Sequence, residues 1–122
     1  MASTDKPTWF LIADDYPVMR LGFKELLRAT YPMAQFAEAA NAPEAIEQAA
    51  RQPWDLVLID LYLPDRSAVD LLHDLSLANS HCPILLFTTP QDGGCAIRAL
   101  KSGCQGVVSK TAPVSEVRQA IK

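Results

Sequence analysis

The chain has 122 residues, of which 49% are hydrophobic and 20% charged, a balance that suits one folded domain and excludes a disordered chain. Eleven basic and 14 acidic residues give a net charge of −3, so this segment has no basic excess with which to contact nucleic acid. The three cysteines lack Cys-x-x-Cys spacing and no apolar run is long enough to span a bilayer, so we expect a soluble, cytoplasmic protein that makes no membrane contact.

The amino-terminal residues 1–8 are polar, and we predict a flexible segment there, followed by one domain over residues 9–122. From residue 9 onward, short apolar runs alternate with stretches of helical periodicity. Continuous apolar runs are typical of strands buried on both faces, whereas period-two alternation is typical of an edge strand. The predicted strands are, in chain order, residues 9–13, 35–39, 56–59, 84–87 and 106–108, with the alternating run 35–39 at an edge.

Helical periodicity follows each predicted strand, over residues 17–29, 42–52, 69–77, 93–101 and 113–121. In the first of these stretches Val18, Leu21, Gly22, Leu26 and Leu27 recur at helical spacing, which predicts that this stripe faces the core. The second stretch begins with Asn41 as a helix cap and has Glu44 three residues later, a typical capping signature. Five strand–helix units predict an α/β fold with a doubly wound, five-stranded parallel sheet and helices on both faces.

Polar residues follow four of the predicted strands at their carboxyl ends. Asp14 and Asp15 follow the first strand, Asp60 ends the third, Thr88 follows the fourth and Lys110 follows the fifth. In an open parallel sheet, ligands bind outside the carboxyl ends of the strands. The sequence therefore predicts that three carboxylates, a hydroxyl and an ammonium group meet at one edge of the sheet.

The charges of this set indicate what it binds. At an effective dielectric constant of about 20, two carboxylates about 4 Å apart repel by roughly 4 kcal/mol, so three carboxylates beside one lysine favour a cation. Mg²⁺ prefers hard oxygen ligands and shares its remaining positions with water and phosphoryl oxygens. We expect metal-assisted handling of a phosphoryl group, with Asp60 as nucleophile and Lys110 balancing the charge that develops. A single aspartate at a strand end is more often a helix cap than part of a functional site. The prediction of a functional site therefore rests on all five residues together.

Four motifs, in order, resemble the receiver domain of two-component response regulators. The segments are "LIADDYP" with an acidic pair, "LVLIDLYLP" with a phospho-acceptor, "PILLFTT" with a switch hydroxyl and "SGCQGVVSKT" with a lysine. The stretches "IADDYPVMRLGFKELL" and "EAANAPEAIE" are closest in style to regulators of the LuxR/NarL type. The resemblance covers almost the whole chain and implies a flavodoxin-like strand order, 2-1-3-4-5.

The resemblance also implies a role for each residue of the acidic site. Asp15 is expected to bind Mg²⁺ directly, and Asp14 to bind it directly or through water. Asp60 is expected to bind the same ion and to accept a phosphoryl group from a phosphohistidine of a sensor histidine kinase. The backbone carbonyl of Tyr62 is expected to be a further metal ligand.

Two further residues are expected to read the phosphoryl group. Thr88 would hydrogen-bond one oxygen of the phosphoryl group, and Lys110 would pair with another. The added charge would shift the region of the fourth and fifth strand–helix units, which a partner then recognises. Such a domain catalyses its own phosphorylation and dephosphorylation but acts primarily as a signalling switch. Its output, transcription regulation by a carboxyl-terminal helix-turn-helix domain, is expected to lie outside this segment. Whether phosphorylation produces a homodimer is left open.

Three positions depart from the usual receiver pattern. Val107 stands where the family often has an aromatic switch residue, and a β-branched side chain has no comparable swing. Ala68 stands near a frequent glycine, and Thr89 stands where alanine is common. Val107 concerns how a change at Thr88 is passed on to the surface. Ala68 concerns the shape of the loop after Asp60, and Thr89 concerns the width of the entrance to the site.

Other functions compete with phosphoryl acceptance. One is a degenerate receiver that acts as a phosphate-independent interaction module, an alternative that Val107 supports. A flavodoxin-type binder is less compatible, because Asp14 and Asp15 would repel the phosphate of its ligand. An Asp-x-Asp phosphatase would need an acid at position 62, which is Tyr62. No Gly-x-Ser-x-Gly motif or P-loop is present in the sequence.

The remaining distinctive residues favour structural roles. Trp54, just before the third strand, is expected to pack at the opposite end of the sheet. His73 and His81 lack metal-ligand spacing and are expected at exposed positions. Cys95 and Cys104 are interpreted as small apolar residues.

Overall fold

The computed structural model describes residues 7–60, 68–78, 83–88 and 106–109. Within these residues the chain forms five strands and three helices. In chain order they are β1 (Thr8–Ala13), α1 (Pro17–Thr30), β2 (Ala34–Ala39), α2 (Ala42–Arg51), β3 (Leu56–Asp60), α3 (Ala68–Ala78), β4 (Ile84–Thr88) and β5 (Gly106–Ser109). The predicted helices over residues 93–101 and 113–121 lie outside the described residues, as do His81, Cys95 and Cys104.

The five strands form one sheet in the order β2-β1-β3-β4-β5, and every neighbouring pair is parallel. The predicted order and the doubly wound parallel sheet are confirmed. Within the described part of the chain, strand β2 pairs only with β1, so its alternating sequence does mark an edge strand. The change of direction in strand order falls between β1 and β3, which is where this class of fold forms its binding crevice.

Side chains that alternate along the strands build a core on each face of the sheet. Phe10 and Ile12 of β1 belong to a cluster with Phe23 and Leu27 of α1. Leu11 of β1 belongs to a second cluster, which includes buried residues of α2 and α3. Each large apolar side chain buried in this way stabilises the fold by about 1.5–3 kcal/mol, so both layers are firmly fixed to the sheet.

The buried face of α1 differs from the predicted one. Val18 and Leu21 are 79% and 54% exposed, whereas Phe23 and Leu27 are buried. The prediction was therefore wrong for Val18 and Leu21. The physical reason is that Phe23 packs against the sheet, where its ring centroid lies 4.3 Å from that of Phe87 in β4. Residues two positions apart on a helix lie about 200° apart around its axis, so a buried Phe23 places Leu21 on the outer side.

The predicted cap of α2 is confirmed. The side-chain oxygen of Asn41 accepts a hydrogen bond from the backbone N–H of Glu44, at 3.0 Å. The Glu44 carboxylate in turn accepts from the backbone N–H of Ala40 at 2.9 Å, one residue further back than in the usual capping box. Two residues separate the end of β2 from the start of α2, and the buried alanines of α2 lie in one core cluster with buried leucines of α3.

The amino ends of β1 and β3 are held by packing and by backbone hydrogen bonds. Trp54 is buried, its indole N–H donates to the Gln48 carbonyl at 3.0 Å, and its ring meets that of Trp9 edge to face at 6.5 Å. The backbone N–H of Trp9 donates to the Asp55 carboxylate at 2.7 Å. The structural interpretation of Trp54 is thereby confirmed, and His73 is exposed on α3 as predicted.

Candidate functional site

The register between β1 and β3 brings two aspartates to the same edge of the sheet. Ala13 and Ile59 are paired across the two parallel strands. Asp14 and Asp60 are the next residues of their chains, so their carboxylates emerge side by side at the strand ends. Among the described residues these are the buried polar side chains, with exposures of 1% and 6%. Burial of charged groups requires a strong compensating interaction.

Asp15 completes a cluster of three carboxylates. One carboxylate oxygen from each of Asp14, Asp15 and Asp60 lies within 4.8 Å of the other two. Asp15 is partly exposed, yet its Oδ1 atom is buried and accepts no hydrogen bond from the described residues. A buried acceptor of this kind is one that a bound cation would satisfy.

The turn between β1 and α1 fixes Asp14. Its backbone N–H donates to the Ala39 carbonyl at 3.0 Å, which extends the β1–β2 pairing by one residue. Its Oδ1 accepts from the backbone N–H of Tyr16 at 2.9 Å, forming an Asx-type turn. Pro17 then starts α1 at the first turn, a position that suits the fixed φ of proline. The chain thereby turns from β1 into α1 while the side chains of Asp14 and Asp15 stay at the edge of the sheet.

A network that the sequence reasoning missed lies behind this turn. Arg20 of α1 donates from Nη1 to the backbone carbonyl of Asp14 at 2.6 Å and from Nε to Glu38 at 2.8 Å. Lys24 donates to the other carboxylate oxygen of Glu38, also at 2.8 Å. The available signal was the placement of two basic residues one turn apart in α1, with an acid near the end of the adjacent edge strand.

The electrostatics of Glu38 follow from these two partners. The hydrogen bond from Lys24 is the largest cause that holds the pKa of the Glu38 carboxyl below its ordinary value of 4.5. Partial burial opposes this effect, and the hydrogen bond from Arg20 adds to it. Glu38 is thus a charged group that binds both Arg20 and Lys24.

The remaining predicted site residues are described only in part. Asp60 pairs with Phe87, and Thr88 pairs with Ser109, so the backbone of Thr88 lies at the same sheet edge, one residue beyond the partner of Asp60. Tyr62 and Lys110 lie outside the described residues. Ala68 opens α3, Val107 lies within β5, and Thr89 is outside the described residues.

The donor set fits a magnesium ion. Hard carboxylate oxygens are the ligands that Mg²⁺ prefers, and it takes only a few from the protein. Asp14, Asp15 and Asp60 offer three such oxygens close together, and the buried Oδ1 of Asp15 is an acceptor that needs a positive partner. These residues would hold the ion at the carboxyl edge of the sheet.

Comparison with known proteins identifies the family. Residues 10–122 match the family described as the response regulator receiver domain. The chain belongs to this family. The resemblance seen in the sequence motifs is thereby confirmed, and with it two-component signalling as the context of the domain.

Curated relatives agree with this receiver-domain assignment. The nitrate/nitrite response regulator NarL of Escherichia coli K12 is 28% identical over 119 residues, covering 98% of this chain and 55% of that protein. The fimbriae Z protein of Salmonella typhimurium is 28% identical over 117 residues, covering 96% of this chain and 56% of that protein. The receiver domain thus spans about half the length of these relatives.

Solved structures share the receiver fold. A two-component response regulator of the LuxR family from an Aurantimonas species has a TM-score of 0.84 at 29% identity, over 95% of this chain and 83% of that one. A Burkholderia pseudomallei response regulator, solved with a phosphorylated aspartic acid, calcium ion and citrate, has a TM-score of 0.77 at 25% identity, over 94% and 66%. The receiver domain of a Pseudomonas aeruginosa sensor histidine kinase, with magnesium in its active-site cleft, has a TM-score of 0.81 at 20% identity, over 95% of both chains.

The described helices are all short relative to a lipid bilayer. Among the described residues, no helix combines the length and the apolar character that a membrane crossing requires.

Proposed function

We propose that this receiver domain accepts a phosphoryl group on Asp60 and thereby switches a partner or output surface. The observation that supports this most is the cluster of Asp14, Asp15 and Asp60, whose carboxylate oxygens lie within 4.8 Å of one another at the sheet edge. Two of the three side chains are buried, and such a concentration of negative charge is more typical of a functional site than of a structural one.

Each acidic residue has a defined task in this proposal. Asp15 would hold Mg²⁺ together with Asp60 and the backbone carbonyl of Tyr62, and Asp14 would hold it directly or through water. When bound, the ion would neutralise the negative charge that otherwise repels an approaching phosphoryl group. A carboxylate oxygen of Asp60 attacks phosphorus and forms an acyl phosphate, while the phosphorus–nitrogen bond of the donor histidine breaks and the released imidazole takes up a proton. Lys110 and Thr88 contact the oxygens of the transferred group.

The phosphoryl donor in this proposal is a sensor histidine kinase in the cytoplasm. The consequence is transcription regulation through a carboxyl-terminal helix-turn-helix domain of the full-length protein. This is supported by relatives such as NarL, which are about twice as long as this chain and named as response regulators. The net charge of −3 fits a receiver domain that leaves DNA contact to another domain.

A direct test uses the protein with Mg²⁺ and acetyl phosphate, followed by intact mass measurement. We expect one phosphate adduct in the wild type and none in Asp60→Asn, because the amide cannot form the acyl phosphate. Glu47→Gln is a matched control, since it removes one negative charge at an exposed position on α2 and should leave the adduct intact. Chelation of Mg²⁺ should abolish the adduct in the wild type and in Glu47→Gln.

The alternative function is a phosphate-independent interaction module. Val107 in β5 supports it, because valine cannot make the in/out movement of an aromatic switch residue. A wild-type protein that forms no adduct with the small donor or with a sensor kinase would favour this alternative. An adduct on Asp60 would exclude it.

A further inference from the structure

We propose that Arg20 is a positioning residue of the phosphoryl-acceptor site, which holds the backbone of Asp14 against the edge strand so that the metal-binding carboxylates stay aligned. This inference rests on the proposed function, since it concerns the same acidic cluster. It adds a residue from α1 and an anchor from β2 to a site otherwise built at strand ends.

The argument begins with the contacts of the Asp14 backbone. Its N–H donates to the Ala39 carbonyl of β2 at 3.0 Å, and its carbonyl accepts from Arg20 Nη1 at 2.6 Å. Both backbone groups of Asp14 are therefore held, although the residue lies just beyond the end of β1. A displacement of this peptide would move the neighbouring Asp15 carboxylate as well, because the two residues are consecutive.

The guanidinium group is itself held in place. Its Nε donates to Glu38 at 2.8 Å, and the second oxygen of Glu38 accepts from Lys24 at 2.8 Å. The Arg20 side chain is only 16% exposed, so this geometry is more restricted than that of a surface ion pair. The backbone N–H of Arg20 also bonds to the Tyr16 carbonyl at 3.2 Å, which fixes the residue in the first turn of α1.

The chemistry of arginine explains why this residue type is needed. A guanidinium carries several donors in a planar fork, so it donates to a carboxylate and to a carbonyl at the same time. A lysine at this position would carry all its donors on a single nitrogen, so it could not reproduce the two hydrogen bonds that Nε and Nη1 make from separate positions. Groups that orient metal ligands without touching the metal commonly change affinity about 10- to 100-fold when removed.

The first measurement is Mg²⁺ affinity of the full chain by titration calorimetry. We expect Arg20→Met to weaken Mg²⁺ binding about tenfold or more, and Arg20→Lys to give an intermediate value. Arg28→Met is the matched control, because Arg28 lies on the same helix but is 52% exposed and pairs with Glu25. Unchanged affinity in Arg20→Met, with the fold intact by circular dichroism, would overturn the proposal.

A second measurement separates positioning from a merely structural role. Phosphorylation by acetyl phosphate is followed as a function of Mg²⁺ concentration. If Arg20 positions the ligands, Arg20→Met should require more Mg²⁺ for half-maximal phosphorylation yet approach the wild-type level at saturation. A reduced plateau without a shift in the Mg²⁺ requirement would contradict positioning.

The role of Glu38 is tested by a double-mutant cycle. Glu38→Gln should weaken Mg²⁺ binding less than Arg20→Met and should have no further effect in the Arg20→Met background, since it acts through Arg20. Additive effects would refute this coupling. If the wild type binds Mg²⁺ but forms no phosphate adduct, only the proposed function is refuted. If Arg20→Met binds Mg²⁺ with wild-type affinity, only the positioning role of Arg20 is refuted.

Discussion

Phe23 of α1 and Phe87 of β4 place their ring centroids 4.3 Å apart, which joins helix and sheet one residue before Thr88. We expect Phe23→Ala to lower the free energy of unfolding by about 3 kcal/mol, because it removes buried area and leaves a cavity. Leu21→Ala, on the exposed side of the same helix, should change it by no more than about 0.5 kcal/mol. Urea denaturation of both variants gives the comparison, and equal losses would contradict the assigned buried face.

The contacts of Glu38 predict a pH-dependent contribution to stability. The pKa of Glu38 is lowered in the folded state, so its contribution is fully present above the ordinary value of 4.5 and is lost as pH falls through the lower folded pKa. The stability difference between wild type and Glu38→Gln should therefore disappear in acid. We expect this difference to be below about 1 kcal/mol at neutral pH, since the Glu38 side chain is 38% exposed. Urea titrations at several pH values measure it, and a difference that grew in acid would contradict the assigned cause.

The acidic cluster predicts opposite effects of one substitution with and without metal. Asp15→Asn should raise metal-free stability by up to about 1 kcal/mol, because it removes one of three mutually repelling carboxylates. Mg²⁺ at 100 times its dissociation constant should stabilise the wild type by about 2.7 kcal/mol and the variant much less. Thermal unfolding in Mg²⁺ and in chelator tests both statements, with Glu47→Gln as a charge-matched control. Equal Mg²⁺ stabilisation of wild type and Asp15→Asn would remove Asp15 from the ligand set.

The cap of α2 predicts a local contribution to stability. Asn41→Ala removes the acceptor of the Glu44 N–H and should lower the free energy of unfolding by about 1 kcal/mol. Asn41→Ser keeps an acceptor at this position and should retain most of the stability. Guanidinium denaturation of the two variants decides the matter, and an equal loss in both would show that the hydrogen bond is not the cause.

The sheet and the acidic cluster were predictable because their signals are local. Apolar runs mark the strands, and parallel strands place their carboxyl ends at one edge, so Asp14 and Asp60 had to lie close together once the order was right. The resemblance to receiver domains supplied that order. The expected roles of Lys110 and Tyr62 stay predictions, because these residues lie outside the described part of the chain.

Two features were not predicted from the sequence, each for a physical reason. The apolar stripe of α1 did not include Phe23, whose burial against Phe87 turns Val18 and Leu21 toward solvent. Arg20 would ordinarily be taken for a solvated helix residue, and its acceptors Asp14 and Glu38 lie 6 and 18 positions away along the chain. Such a side-chain bridge depends on the register of β2 and on the rotation of α1, which only the folded arrangement fixes.

The location of the two indole rings has a practical consequence for solution work. Trp9 and Trp54 are the two tryptophans of the chain, and they meet at the amino ends of β1 and β3, whereas the acidic cluster lies at the opposite ends. A strand of five residues separates these ends by about 16 Å. We therefore expect tryptophan emission to follow global denaturation rather than ligand arrival at the carboxylates. An optical reporter of the switch has to be introduced near Asp60 itself.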